Sequence, residues 1–255
     1  MFRFLRIAIL LTILLVVAGR QFMAPDRLND WDKTLWVTIY PVLTQADPAI
    51  RRYVESLTPQ AFDAINAFLK LQASRYGHSL ERPVMIQIAK PLTAVPPALP
   101  TENSGLGVAL WSLKMRWWVW RHGRQDDLAP ADARMFVLYQ QSKPGELLER
   151  SVGVRNGAFG IVNADASRQM TARNRVIITH ELLHILGAVD RYDMATGQPL
   201  APDGLADPQQ NPLYPQQRAE IMAGRIATSV HSWRRPASLK SCVVGAATAA
   251  EIGWL

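Results

Sequence analysis

The sequence predicts an α+β fold, and three observations carry that expectation. Short stretches at 35–42, 84–88, 134–140 and 158–163 have the composition and apolar patterning of strands. Stripes around 62–69 and 171–186 have the three- and four-residue spacing of helices. The second of these helices is an apolar run interrupted by His180, Glu181 and His184. The chain has 255 residues, enough for one large domain or two small ones. Its 49% hydrophobic and 19% charged content is that of a globular protein.

The first 20 residues read as a targeting segment. Arg3 and Arg6 make a basic start, Ile7 to Ala18 is apolar apart from Thr12, and Arg20 closes it. That stretch is short for a membrane span and fits the apolar region of a signal peptide. A signal anchor is the alternative, with Phe22 and Met23 extending the apolar run. Either way the expectation is export across the cytoplasmic membrane. The chain is then anchored facing outside, or periplasmic or secreted if the segment is cleaved. Residues 21–33 read as a linker, and 34–255 as the domain.

Leu35, Val37 and Ile39 alternate in a strand that Pro41 is expected to stop. Asp47-Pro48 and Thr58-Pro59 each mark a helix start. Phe62, Ile65, Phe68 and Leu69 form a helical stripe, ended by Gly77. Val84 to Ile88 is a second strand, and the prolines at 91, 96, 97 and 100 make a loop. In 110–124, Trp111, Leu113, Met115 and Trp117 alternate with polar residues, which predicts a strand. Its Trp and Arg residues suit either a core strand with a cationic outer face or a membrane- or substrate-contacting patch.

Met135, Val137 and Tyr139 should oppose Phe136 and Leu138 in a third strand. Lys143-Pro144-Gly145 predicts a turn, and 158–163 a short strand before the marked helix. The Pro- and Gly-rich stretch from about 190 to 217 is long for a plain connection, which points to function. Asp193, Asp203 and Asp207 lie there without the spacing of a calcium loop and read first as turn residues. Residues 246–254 predict a short closing helix.

The marked helix continues as His180-Glu181-Leu182-Leu183-His184-Ile185-Leu186-Gly187-Ala188-Val189-Asp190. Residues four apart share a helix face, so His180 and His184 can aim two imidazoles at one point. That is the spacing of two ligands of a tetrahedral zinc ion. Glu181 lies about 100° round the helix, within reach of a water at such an ion. Gly187 can take the left-handed conformation that ends a helix and turns Asp190 back toward the pair. The single cysteine, Cys242, rules out an internal disulfide framework and a cysteine zinc cage.

This H-E-x-x-H-x-x-G-x-x-D pattern resembles the metzincin branch of the zincin metallopeptidases, in the aspartate variant of snapalysin-like enzymes. The likeness extends to Ile221-Met222-Ala223-Gly224, which matches the Met-containing turn of that branch. The resemblance implies a zincin-like domain: a mixed, twisted sheet, an active-site helix, a Met-turn and a C-terminal helix. It implies Zn2+ held by His180, His184 and Asp190, with Glu181 as general base of a metalloendopeptidase acting on a polypeptide. Asp193, Glu220 and His231 remain alternatives for the third ligand. Some members place a Tyr where this chain has Gly224, a role open to Tyr192 or Tyr214. The strand at 158–163 is the expected docking edge for an extended peptide, by analogy with the family.

A net charge of +7 fits a membrane surface or an acidic polypeptide. No nucleic-acid motif accompanies it, and no nucleic-acid partner is expected. The competing function is a membrane-associated zincin-fold binding protein with structural zinc or none, using the Trp- and Arg-rich stretch as its surface.

Overall fold

A computed structural model describes residues 28–255 apart from 99, 101–104, 126 and 142–150, together with five positions before residue 28. The targeting segment and the turn expected at 143–145 lie essentially outside the described residues. Among the described residues, no helix is long and apolar enough to cross a membrane.

The main sheet has five strands: β1 (Leu35–Leu43), β2 (Val84–Ile88), β3 (Ala133–Gln140), β4 (Val152–Val154) and β5 (Phe159–Asp165). Their order is β2-β1-β3-β5-β4. All pairings are parallel except β4 with β5. The sheet is therefore mixed, with a short antiparallel strand at one edge.

The strand edges refine two expectations. Pro41 does not stop β1, which continues to Leu43. The Pro41 carbonyl accepts from Leu92 N on the β2 side of the strand. In a parallel strand a residue's N–H points the same way as its carbonyl. The missing N–H thus falls where β2 has already ended at Ile88, and no ladder bond is lost. The expected docking strand at 158–163 corresponds to β5, which lies between β3 and β4. It is flanked by β3 on one side and, over residues 159–161, by β4 on the other, so among the described residues the outer edge of the sheet is that of β4.

Side chains divide by strand parity. Val37, Ile39, Met135, Val137 and Tyr139 face one core, while Tyr40, Val42, Phe136 and Leu138 face the other. The first core is covered by α1 (Pro48–Glu55), α2 (Asp63–Ser74) and α4 (Thr171–Ile185). Asp47 caps α1 as expected, its side chain accepting from Ala49 N at 2.6 Å with Pro48 at the first helical position. Gly77, at φ +86°, follows α2 in the left-handed conformation.

The second core is covered by α3 (Gly105–His122), and here the expectation of a strand at 110–124 is wrong. Met115 and Trp118 are buried against the sheet, and Trp118 meets Phe136 edge-on at 4.8 Å. Residues 111, 115, 118 and 122 make the inward stripe of a helix. A second apolar stripe, Leu110, Leu113, Trp117 and Trp120, is exposed.

Two residues from the stretch expected to be linker belong to the first core. Leu28 and Trp31 are buried, and Trp31 donates its indole N–H to the Ile252 carbonyl at 2.6 Å while meeting Trp254 at 5.3 Å. The long connection after α4 is held by turns. Asp193 accepts from Ala195 N, Thr196 N and the Thr196 hydroxyl. Buried Gln216 bridges Asp207 and Leu213. Beyond it, β6 (Ala219–Glu220) pairs with β9 (Cys242–Val243), and β7 (Ile226–Ala227) with β8 (Trp233–Arg234). The chain closes with α5 (Ala246–Glu251).

Candidate metal centre

His180 and His184 lie one turn apart on α4 and point to the same place. Their Nε2 atoms are 3.1 Å apart. Asp190 Oδ1 is 3.1 Å from His180 Nε2 and 3.2 Å from His184 Nε2. Among the described residues this is the one group of three side chains suited to a metal ion.

The return of Asp190 follows from the helix end. Gly187, at φ +108°, donates to the His184 carbonyl, and Ala188 N donates to the Leu183 carbonyl. This 5→2 and 6→1 pair is the Schellman arrangement, which needs a left-handed residue that glycine supplies without strain. The segment carrying Asp190 is then fixed on both sides. Val189 N donates to Glu251 Oε2 at 3.0 Å, and Arg191 N donates to the Met222 carbonyl at 3.0 Å. The Arg191 guanidinium pairs with Glu251 as well.

Both imidazoles are oriented from behind. His180 Nδ1 lies 2.9 Å from the Ile221 carbonyl, and His184 Nδ1 lies 2.7 Å from the Ala188 carbonyl. A carbonyl only accepts, so each Nδ1 carries a proton. Three electron-rich atoms then meet at 3.1–3.2 Å, and this repulsive arrangement needs a proton or a cation among them. Tetrahedral zinc, with bonds of about 2.0–2.1 Å, sets its ligand atoms roughly 3.3 Å apart. The triangle observed fits such an ion. Burial works against charge on His180, but the Asp190 hydrogen bond, the Glu181 charge and the Ile221 carbonyl outweigh it, and the net shift is upward. Burial likewise opposes the charged form of Asp190, yet its contacts with both imidazoles hold the carboxyl well below the usual range.

Glu220, an alternative ligand in the sequence, does a different job. Its carboxylate accepts from Met222 N at 2.6 Å, Ala223 N at 3.0 Å, Gly245 N at 3.1 Å and the Thr248 hydroxyl at 2.8 Å. It ties the turn at 221–224 to α5. Burial pushes the Glu220 carboxyl up, and the four donors pull it back without cancelling the rise. Asp193 is held in its own turn, and His231 lies exposed in the loop between β7 and β8. Met222 is fully buried.

The site opens into a cavity of about 450 Å³ lined by His180, Glu181, His184 and Asp190. Glu181 is 5% exposed. The β4 edge forms one wall through Ser151, Val152 and Gly153. Gly153 permits this approach, because a Cβ there would stand 2.6 Å from His184 Cβ and closer still to the Glu181 carbonyl. Tyr192 also lines the cavity, whereas Tyr214 is not among its lining residues. Sequence reasoning missed β4, Glu251 and the structural role of Glu220. The one available signal was the short Ser151-Val152-Gly153-Val154 run, too brief for a periodicity.

No family model matches the chain, and no curated protein matches it. Solved structures do resemble it in part. One, described as a chaperone–substrate complex, has a TM-score of 0.42 and 13% identity over 86% of this chain and 33% of that one. Wild-type OgpA from Akkermansia muciniphila has a TM-score of 0.38 and 13% identity, over 88% of this chain and 64% of that one. Catalytically inactive OgpA in complex with an O-glycopeptide (glycodrosocin) substrate has a TM-score of 0.37 and 11% identity, with the same coverage. The chain thus spans about a third of the first structure's length and just under two thirds of the other two.

Proposed function

We propose that this protein is a zinc-dependent endopeptidase of zincin-like fold. The observation that carries the reading is the convergence of His180 Nε2, His184 Nε2 and Asp190 Oδ1 within a cavity that Glu181 also lines. These three residues would hold the ion, and Glu181 is left for chemistry. When bound, zinc lowers the pKa of a water toward about 7 and polarises a carbonyl. Glu181 accepts the proton of the attacking water and passes it to the leaving amine. The carbonyls of Ile221 and Ala188 fix both imidazole tautomers and keep each Nε2 facing inward. Among the described residues no further strand pairs with the outer edge of β4, so an extended peptide can add to the sheet there as its next strand. On this reading the basic and apolar N-terminal sequence serves for export, and the activity lies outside the cytoplasm, anchored or released.

The test is a broad peptide-library digest. Native protein should cut it, and both a chelator and Glu181→Gln should reduce cleavage by at least about 100-fold. The variant should still bind zinc. Cleavage at the native rate by metal-loaded Glu181→Gln would rule out this mechanism.

A second reading is favoured by the exposed stripe on α3, where Leu113, Trp117 and Trp120 are at least 60% exposed. Such a face suits a partner or membrane surface, with the zinc site serving stability alone. A digest that shows no cleavage by zinc-loaded protein would favour it.

A further inference from the structure

The wall of the cavity beyond the histidines carries three arginines. Arg173, Arg225 and Arg235 all line it, and they come from α4, the segment after the 221–224 turn, and the residue that follows β8. None of the three makes an ion pair among the described residues. Arg225 is held in place: its guanidinium lies 3.9 Å from the Tyr192 ring centre and 4.8 Å from that of Trp233, and it donates to the Ala223 carbonyl. Its Nε is buried without a hydrogen-bond acceptor. Arg173 precedes His180 by seven residues, two helical turns, so it shares the His180 stripe about 10 Å along the axis. That is the reach of about three residues of extended peptide.

The charges do not balance. On the reading proposed above, an ion of +2 is matched by Asp190 and Glu181. The three guanidinium groups are left over. Burial and the proximity of Arg173 and Arg225 both work against the charge on Arg235. Three like charges gathered in a concave wall are costly until an anion enters, and guanidinium groups match a carboxylate with paired donors.

We infer that Arg173, Arg225 and Arg235 form a subsite for a peptide carboxylate close to the scissile bond. This rests on the peptidase reading for its orientation but not for its binding chemistry. The carboxylate comes either from an Asp or Glu side chain or from the C-terminus of the peptide.

The experiment measures binding, by fluorescence anisotropy, to zinc-loaded Glu181→Gln, which holds peptides without turning them over. The probes are three labelled peptide pools. One carries Asp and Glu with an amidated C-terminus, one carries Asn and Gln with a free C-terminus, and one carries Asn and Gln with an amidated C-terminus. At least one carboxylate pool should bind ten-fold or more tighter than the fully amidated pool, and that preference should shrink as salt is raised. Which pool wins identifies the source of the carboxylate. Adding Arg173→Gln or Arg235→Gln should bring the preference below about three-fold. The salt series on the parent protein stands if either variant does not fold. Equal binding of all three pools, a salt-independent preference, or no binding at all would overturn the subsite. Cleavage in the native digest with preference neither for a nearby acidic side chain nor for a nearby free C-terminus sinks the subsite and spares the peptidase. Acid-selective binding without cleavage does the reverse.

Discussion

Gly153→Ala adds one methyl group to the β4 edge, at the point where that edge rests on α4. The new Cβ would stand 2.6 Å from His184 Cβ and closer to the Glu181 carbonyl. Ordinary carbon contacts lie near 3.5–4.0 Å, so one element must move by roughly 1 Å. Neither contact is the loose end of a side chain. The Glu181 carbonyl belongs to the helix backbone, and His184 is pinned through Nδ1 to Ala188. The strand is held by only three residue pairs with β5, including Gly153 opposite Gly160, so it is the part that yields. Overpacking of this kind costs about 1–3 kcal/mol. In a chain of this size that lowers the melting temperature by roughly 2–4 °C per kcal/mol. The same displacement presses on the residue that carries one imidazole, so zinc affinity should fall by about 10-fold, within the range for disturbed supporting groups. Thermal denaturation and a competitive zinc titration read the two effects. A variant with native melting temperature and native zinc affinity would refute the close packing of β4 on the helix that carries His180 and His184.

Two further outcomes follow from buried groups outside the ligand set. A carboxyl whose folded value is raised, as burial raises that of Glu220, contributes stability that is full below the unfolded value of 4.5 and is lost as pH rises through the folded value. The stability of the native protein relative to Glu220→Gln should therefore decline from about pH 4 upward; denaturant unfolding across pH reads this, and a rising difference would contradict it. Trp31→Ala removes a buried ring and its bond to the Ile252 carbonyl, and should cost about 3–5 kcal/mol in the same assay. A loss below 1 kcal/mol would mean that the N-terminal stretch does not belong to the core.

The helix at 105–122 shows why part of the fold was hidden in the sequence. Met115 and Trp118 face the sheet, while Leu110, Leu113, Trp117 and Trp120 face outward. With apolar residues on both sides, the 3.6-residue period is masked and an accidental two-residue alternation is left in view. Strand β3 was legible because both its faces are buried, so its alternate residues fall cleanly into two cores. The convergence of His180, His184 and Asp190 was legible for a different reason. Its geometry is local: one helical turn separates the histidines, and a single left-handed glycine returns the aspartate. Apart from the Ala188 carbonyl behind His184, the groups that hold this triangle in place are not local. Ile221 supplies its carbonyl to His180 across 41 residues, Met222 supplies its own to Arg191 across roughly thirty, and Glu251 reaches Val189 and Arg191 from the last helix. Nothing in the spacing of those residues marks them before the chain is folded. The same holds for Arg173, Arg225 and Arg235, which look like scattered surface charges until β8 and the 221–224 turn bring them to one wall. A motif of eleven residues can thus announce a candidate metal site, but its rigidity depends on contacts that only the tertiary structure brings together.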